Sequence, residues 1–303
     1  RKQFGQPIAK FDSILGKIAE ITVRIYAADT MVYRTVGMIE DAISDLNKDE
    51  PDYYIKMGEI TEQFAIEASM AKVYGSETSS MVVDNCMQIF GGYGYIEEYP
   101  LAMAYRDDRI NQIWEGTNEI NRAIICGYMM KKVLMEEISL REILNEIDVF
   151  LSEDLKSDEK DALSIEKRGL YGSKILASFI FQEALCTFGQ DLKHEQQLSE
   201  NIADIFLYIY ISDSIICRLQ QSLKSNEDSN MDLNIAKINI AESLLEINRI
   251  SSICLNSIFS DTLTLEISTK INKIQQLLTL NTNTILLKRK LGKYILEKKE
   301  YPF

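Results

Sequence analysis

Histidine and proline are scarce in this sequence, and both scarcities narrow what the protein can be. Its 303 residues include one histidine and four prolines. The histidine, His194, lies in the polar stretch DLKHEQQ, so it is predicted to be a solvated helix residue and not a general base. With only 14 glycines as well, long segments carry no helix breaker. The composition therefore favours a protein built almost entirely of helices.

Cysteines are few and scattered. Their number is odd, and they form no C-x-x-C pair and no cluster with histidine, which predicts neither a disulfide framework nor a zinc or other metal site. The sequence is typical of a protein in a reducing compartment. The five are Cys86, Cys126, Cys186, Cys217 and Cys254.

Long apolar runs and excess positive charge are also lacking. No run approaches the ~20 residues that cross a bilayer, and the most apolar stretch, 205–219, is interrupted by Asp213 and Arg218, which predicts a core helix. Lysine and arginine total 33 against 46 acidic residues, a net charge of −13 that disfavours nucleic-acid binding. The chain opens at Arg1 without the layout of a signal peptide, so we expect it to begin within a longer protein.

Apolar residues recur at three- and four-residue steps through most of the chain, which predicts helices. The first is predicted from about Phe11 to Leu46, ending in the polar segment 47–51. A second helical region is predicted from Asp52. Inside it, Gly75 indicates either a close helix contact or a break.

Segment 91–117 is predicted to be irregular, apart from a short helix near 102–107. Irregular backbone between rigid helices is where functional sites are commonly placed. Helical periodicity resumes over 118–131, with Thr117 or Asn118 as the residue that caps the new helix.

From about Lys132 the composition changes, because glycine becomes rare and Ile, Leu, Ser, Asn and Lys dominate. Polar breaks at 157–158 and 224–230 are expected between helices of an antiparallel bundle. The fold class is therefore predicted to be all-α, with one helical domain over 1–131 and a second bundle, without a chemical motif, over 132–303. Its predicted helices span 134–151, 158–189, 195–223, 231–258 and 264–296, the last broken near 281–283.

Glu115 is the carboxylate that the residues themselves single out, because it lies between Trp114 and Gly116. A carboxylate next to an aromatic ring and a glycine can occupy an apolar pocket, an environment that suits a general base acting on a weakly acidic C–H. The alternative is structural: Glu115 caps a turn or pairs with Arg106 or Arg109. Composition alone favours that alternative.

Four short stretches occur in a fixed order: RKQFGQPI at 1–8, QIFGGYGYIEEYP at 88–100, YRDDRI at 105–110 and IWEGTNEI at 113–120. Together, at this spacing, they resemble the C-terminal helical domain of the acyl-CoA dehydrogenase family. The rest of the chain resembles, more loosely, the extra helical domain of the very-long-chain branch. The resemblance implies a C-terminal helical bundle followed by a second bundle.

The resemblance also implies a reaction. It is the oxidation of an acyl-CoA substrate between its second and third carbons, with FAD as cofactor, to a trans-2-enoyl-CoA in fatty acid β-oxidation. Glu115 occupies the position of the family's base, which removes the α-proton. Gly116 would border the thioester. Trp114 stands where the family commonly has Tyr or Phe, so the preferred acyl length stays open.

The residues that would bind FAD fall into two sets by this resemblance. One set contacts FAD across a dimer interface and includes the adenosine end, whereas the other contacts FAD within the same subunit. The structural alternatives are a surface arginine, a glycine pair at a helix end and a helix-capping threonine. The first set is Arg1, Gln3, Phe4, Gln88, Gly91 and Gly92, and the second is Thr117 and Glu119.

The family's N-terminal helical domain and middle β-domain have no counterpart in this sequence. The isolated chain is therefore expected to bind FAD weakly and to show little activity. The resemblance implies a homodimer or larger assembly, and an electron-transfer flavoprotein as partner. An acyl-CoA oxidase and a non-catalytic scaffold protein remain open, although the intact sequence Glu115-Gly116-Thr117 favours catalysis. The compartment is bacterial cytoplasm or mitochondrial matrix, with composition favouring a bacterium.

The C-terminal end is basic in an otherwise acidic protein. A solvated helix end and a weak contact with a membrane surface both fit this pattern, and the first is favoured. The residues are Lys288, Arg289, Lys290, Lys293, Lys298 and Lys299.

Overall fold

The computed structural model describes residues 1–145, 147–152, 161–224, 230–260 and 264–303. Most of them are helical, so the all-α prediction is confirmed. A short antiparallel hairpin of β1 (Lys2–Gln3) and β2 (Gln6–Pro7) comes first. The α-helices are α1 (Asp12–Ser44), α2 (Tyr53–Gln63), α3 (Ala65–Phe90), α4 (Gly92–Tyr95), α5 (Pro100–Asp108), α6 (Asn118–Leu134), α7 (Leu140–Asn145), α8 (Ile147–Ser152), α9 (Ser164–Phe188), α10 (Gln196–Lys224), α11 (Asn230–Phe259), α12 (Leu265–Leu277) and α13 (Thr284–Lys298).

Helix α1 is the long helix that the apolar stripe predicts. Its buried face includes Val23, Tyr26 and Met31, and it packs against α3, α10 and α13. The crossing with α13 is close, since a Cβ on Gly292 would lie 2.6 Å from the Leu15 carbonyl oxygen. Glycine at 292 therefore allows the two backbones to approach.

The second helical region divides at Phe64 and continues through Gly75. Phe64 lies between α2 and α3 with φ −96° and ψ 17°. Among the described residues, no atom outside the helix's own backbone lies within 4 Å of a Cβ placed on Gly75. Neither alternative for Gly75 is found, because the helix neither breaks nor meets another element there.

Segment 91–117 is more helical than the sequence suggests. The short helix predicted near 102–107 is confirmed as α5, but α4 and a 3-10 turn over Arg109–Gln112 lie where irregular backbone was predicted, and there the prediction is wrong. Pro100 opens α5, where its fixed φ and missing N–H are well tolerated. The loop before α6 is irregular as expected, and Thr117 caps that helix.

The predicted helices beyond residue 132 correspond to α7 through α13. The break near 281–283 is confirmed between α12 and α13. The predicted break at 157–158 and most of that at 224–230 lie outside the described residues. Stretch 205–219 falls within α10, which packs against α11 and also against α1 and α6, and Ile211 is fully buried.

One hydrophobic core contains residues from both the first part of the chain, 1–131, and the second part, 132–303. Tyr74 and Ile125 from the first part belong to the same buried cluster as Phe181, Ile211 and Leu244 from the second. The division into domains at 131/132 stays a prediction. Across the described ranges, we find no helix with the length and apolar character that crossing a membrane demands.

The basic end of the chain lies on α13 and just beyond it. Lys288 pairs with Glu242 at 2.6 Å, and Arg289 pairs with Asp12 at 2.6 Å. These two cations therefore form ion pairs within the molecule. A membrane-surface contact through the remaining lysines stays a prediction.

Candidate active site

Glu115 lies in a tight loop, 113–117, between the 3-10 turn and α6. Glu115 and Gly116 both have positive φ, at 53° and 79°. The left-handed region costs a non-glycine residue about 1–2 kcal/mol, so contacts elsewhere must stabilise this loop. The Glu115 side chain is exposed, and Trp114 is 56% exposed.

Asn121, one turn into α6, stabilises the loop through its side-chain amide. Its Nδ2 donates to the carbonyl oxygens of Gly116 at 2.9 Å and of Thr117 at 3.1 Å. Asn121 is 6% exposed, so these bonds are shielded from water. The Thr117 hydroxyl oxygen accepts from the Ile120 N–H at 3.3 Å, which completes the helix cap.

Lys72, on α3, stabilises the same loop. Its Nζ donates to the Gly116 carbonyl oxygen at 2.6 Å and to the Asn118 Oδ1 at 2.8 Å. Burial lowers the pKa of Lys72, while neighbouring carboxylates act in the opposite direction. Lys72 therefore connects a helix of the core to the backbone that carries Glu115.

Asn118, the first residue of α6, is buried and bonds to several side chains next to the loop. Only 4% of it is exposed, and its Oδ1 also accepts from Ser76 at 3.1 Å. Its Nδ2 donates to Glu77 at 3.2 Å. Both ends of the amide are thereby satisfied, as a buried polar group requires.

Arg122 extends this network to the second part of the chain. Its guanidinium pairs with Glu77 on α3 at 2.9 Å and with Asp204 on α10 at 2.7 Å, and 16% of the side chain is exposed. Although burial opposes it, these carboxylates raise the pKa of Arg122, which keeps it charged. Helices α3, α6 and α10 are thus tied together directly beneath the loop.

The structural alternative for Glu115 is not what the structure shows. Arg106 pairs with Glu97 at 3.1 Å. In the part of the chain that the structure describes, the Glu115 carboxylate has no hydrogen bond or ion pair. This carboxylate is exposed on a loop whose backbone is firmly held.

The hairpin at the start of the chain carries a second strained turn. Phe4 and Gly5, between β1 and β2, have φ of 51° and 78°, as the two central residues of a two-residue hairpin turn commonly do. Phe4 is 93% exposed at the tip. The Phe4 ring meets Phe11 edge to face, with the ring centroids 6.1 Å apart.

Arg1 lies against the end of α3. Its Nη1 donates to the Phe90 carbonyl oxygen at 3.2 Å, and a Cβ on Gly91 would lie 2.7 Å from its Nη2. Gly91 has φ 62°, a left-handed conformation that glycine adopts without strain. Gln88 is exposed on the last turn of α3, and Gly92 is exposed at the start of α4.

The two predicted sets of FAD residues lie at different positions along α3. Thr117 and Glu119 lie close to Lys72. At about 1.5 Å per residue, Lys72 is roughly 27 Å along the α3 axis from Phe90. Arg1 and Gly91 are together near Phe90. The chain therefore brings the members of each set together but keeps the sets apart.

Sequence reasoning missed Lys72, Asn121 and Arg122. Lys72 follows Met70 by two positions and so lies on another side of α3, where a lysine commonly faces solvent, and nothing in the sequence marks it as having a polar partner.

Comparison with known proteins gives a consistent result. Two family models described as acyl-CoA dehydrogenase, C-terminal domain, match residues 1–129 and 174–277. A protein of Bacillus subtilis (strain 168) named probable acyl-CoA dehydrogenase is 37% identical over 227 residues, which cover 74% of this chain and 38% of that protein. The caffeyl-CoA reductase-Etf complex subunit CarC of Acetobacterium woodii is 36% identical over 132 residues, covering 44% of this chain and 30% of that subunit.

A solved structure matches the entire chain. It is an acyl-CoA dehydrogenase complexed with FAD from Bacillus anthracis, with a TM-score of 0.93 and 31% identity. The match covers 100% of this chain and 52% of that one. The chain thus spans about half the length of this structure and less of the two curated relatives.

Proposed function

Because the chain belongs to the acyl-CoA dehydrogenase family, we propose that it supplies the catalytic base and part of the FAD site of an acyl-CoA dehydrogenase. The reaction removes an α-proton and a β-hydride from an acyl-CoA thioester and leaves a trans-2-enoyl-CoA. Bound FAD supplies the acceptor for the hydride. The chain's own residues bind the thioester, take the proton and hold the cofactor.

Glu115 is the proposed base, and its presentation is the observation that carries the proposal. Its carboxylate is exposed and free of partners among the described residues, while its backbone has a strained conformation that Lys72 and Asn121 stabilise. Strain maintained by buried contacts is characteristic of functional sites. An unpaired carboxylate on a rigid loop can take a proton without first breaking an ion pair.

The backbone of the same loop suits the charge that develops during proton removal. As the α-proton leaves, negative charge moves to the thioester oxygen, where N–H donors stabilise it. In the described part of the chain, the N–H groups of Glu115 and Gly116 have no intramolecular acceptor. We assign the Glu115 N–H as a donor to that oxygen, with Gly116 bordering the thioester and Trp114 lining the acyl channel.

The residues present fit FAD. The Arg1 guanidinium uses one donor on the Phe90 carbonyl and keeps others for a diphosphate, which it binds well as a charged fork. Gly91 gives the backbone room beside it. With Gln3, Phe4, Gln88 and Gly92, these residues would hold the end of the cofactor that reaches across from a partner subunit.

Thr117 and Glu119 would hold FAD in their own subunit. Because the two sets lie far apart along α3, each chain would contribute to two cofactor sites, which implies a homodimer or a larger assembly. An electron-transfer flavoprotein is the proposed electron acceptor. The Acetobacterium woodii relative is named as a subunit of a complex containing Etf, which supports this partner. Faster reoxidation of the reduced protein by oxygen than by the flavoprotein would instead indicate an acyl-CoA oxidase.

Replacing Glu115 by Gln in the full-length protein tests the proposal. The amide keeps the shape but cannot take a proton, so we expect turnover of acyl-CoA to fall on the order of 10²- to 10⁴-fold while bound FAD stays constant. The matched control is Glu59→Gln, an exposed carboxylate on α2. Turnover that survives in Glu115→Gln shows that the base has been wrongly assigned, and a scaffold role would follow if the unaltered protein also lacks activity.

A further inference from the structure

The carbonyl oxygens of Glu115, Gly116 and Thr117 all face Asn121, and that of Gly116 also faces Lys72. Asn121 donates to Gly116 and Thr117 at 2.9 and 3.1 Å, and its Nδ2 lies 3.5 Å from the Glu115 carbonyl oxygen. Lys72 donates to Gly116 at 2.6 Å. The Gly116 carbonyl therefore accepts from an ammonium and an amide together.

A planar trans peptide points its N–H away from its C=O. Because the carbonyls of Glu115 and Gly116 point towards α3 and α6, the N–H groups of Gly116 and Thr117 point to the opposite side. In the described ranges these N–H groups have no intramolecular acceptor. The carbonyl groups on one side of the loop are thus hydrogen-bonded, whereas the N–H groups on the other side can donate to a bound molecule.

Lys72 is itself held in place. Its second bond goes to the Oδ1 of Asn118, which also accepts from Ser76, and Asn118 in turn donates to Glu77. Lys72 is half-buried, so its charge is not fully screened by water. Hydrogen bonds in series polarise one another, so a cation on the Gly116 carbonyl makes the following N–H a stronger donor.

We propose that Lys72 and Asn121 are positioning residues for the base: together they fix the left-handed turn at Glu115 and Gly116 and so hold the Glu115 backbone and carboxylate in position for the reacting thioester. Neither touches the substrate. This inference rests on the proposed function. It extends that function, because residues on α3 and α6, and not the loop's own sequence, set the position of the base.

The test compares Lys72→Met, Lys72→Arg and Asn121→Asp in the full-length protein, each normalised to bound FAD. Methionine keeps the aliphatic stem but has no donor, so we expect kcat to fall about 10- to 100-fold, as for small displacements of a catalytic group, with little change in KM. Arginine keeps charge and donors and should recover much of the loss. Aspartate puts an acceptor against the same carbonyls and should lower kcat at least as much as methionine.

Exchange of the substrate α-proton with deuterated solvent supplies a second readout, because it reports on proton removal without hydride transfer. We expect it to fall in parallel with kcat in Lys72→Met and to be unchanged in Lys56→Met, a lysine on α2 that pairs with Glu50 and Asp52. If Lys72→Met does not fold, Asn121→Asp serves as the test by the same two measurements.

The two proposals fail separately. If Glu115→Gln abolishes turnover while Lys72→Met and Asn121→Asp keep normal kcat and proton exchange per bound FAD, the positioning role is wrong and the base stands. If those variants merely unfold more easily, with normal kcat in the folded fraction, the contacts are structural only, and the inference is likewise overturned. Turnover that survives in Glu115→Gln overturns the proposed function itself.

Discussion

Among the non-glycine residues that the structure describes, positive φ is used for different purposes in the two parts of the chain. Ser260 and Lys299 adopt it where α11 and α13 end, and Lys299 donates its N–H to Ile295 at 2.8 Å. A left-handed residue is a regular way to finish a helix. Phe4 and Glu115 finish no helix, because one forms the tip of a hairpin and the other precedes α6. The conformation of Phe4 is regular for a two-residue hairpin, whereas that of Glu115 has no structural purpose of this kind, which directs attention to catalysis.

Buried polar groups show the same contrast. In the second part, Ser173 donates to the Leu170 carbonyl at 2.7 Å, a local bond within one helix. In the first part, Asn118 bonds Lys72 and Glu77 across more than 40 positions of sequence, and Asp108 accepts from Ser79. Asn118 and Asp108 thus fix loops, whereas Ser173, like Thr30 and Thr35 on α1, bonds within a helix that would form without it. Three changes can break or sharpen this comparison.

The largest expected effect is on packing in the second part. Phe181 is fully buried and meets Phe206 edge to face at 5.6 Å. We expect Phe181→Ala to lower the free energy of unfolding by about 3–5 kcal/mol, through lost contacts and a cavity, measured by urea denaturation. The control Tyr54→Ala removes a ring that is 77% exposed and should change little. If Phe181→Ala also lowered kcat per bound FAD while folded, the second part would do more than pack.

An intermediate effect is expected where the two parts meet. Asp213 on α10 accepts from Arg34 on α1 at 2.9 Å and from Lys174 on α9 at 2.6 Å. Although burial acts in the opposite direction, these two cations lower the pKa of Asp213. A carboxyl with a lowered pKa in the folded state stabilises the protein above its unfolded pKa, near 3.9 for Asp, and that stability is lost as pH falls through the folded pKa.

Replacing Asp213 by Asn should therefore have a pH-dependent cost. We expect a loss of about 1–3 kcal/mol at pH 7, because two donors lose a charged acceptor. The difference from the unaltered protein should shrink as pH falls below about 4. Denaturation at several pH values measures it, with the exposed Asp84→Asn as control. A difference that stays constant with pH would mean that the Asp213 charge contributes nothing.

How much the sequence predicts depends on the range of the interaction. The stripe on α1 and the cap at Thr117 were predicted because both are local, with periods or bonds of three or four residues. The division at Phe64 carries no helix-breaking residue, and within 91–117 only the short helix near 102–107 was expected, because elements of one or two turns show too little periodicity. Lys72 reaches Gly116 across 44 positions, and no periodicity states which loop meets which helix face. Such a contact is decided only by the packing of α3 on α6.

The smallest expected effect compares two equivalent helix caps. Thr117 accepts from the Ile120 N–H at 3.3 Å, and Thr264 accepts from the Ile267 N–H at 3.4 Å. Alanine at either position should lower stability by about 1 kcal/mol. Only Thr117→Ala should also weaken FAD binding, roughly three- to tenfold for one lost hydrogen bond of about 0.5–1.5 kcal/mol, measured by titration of the apoprotein. Equal loss of FAD affinity in both variants would mean that the effect passes through stability, and the Thr117 hydroxyl would then have no part in the cofactor site.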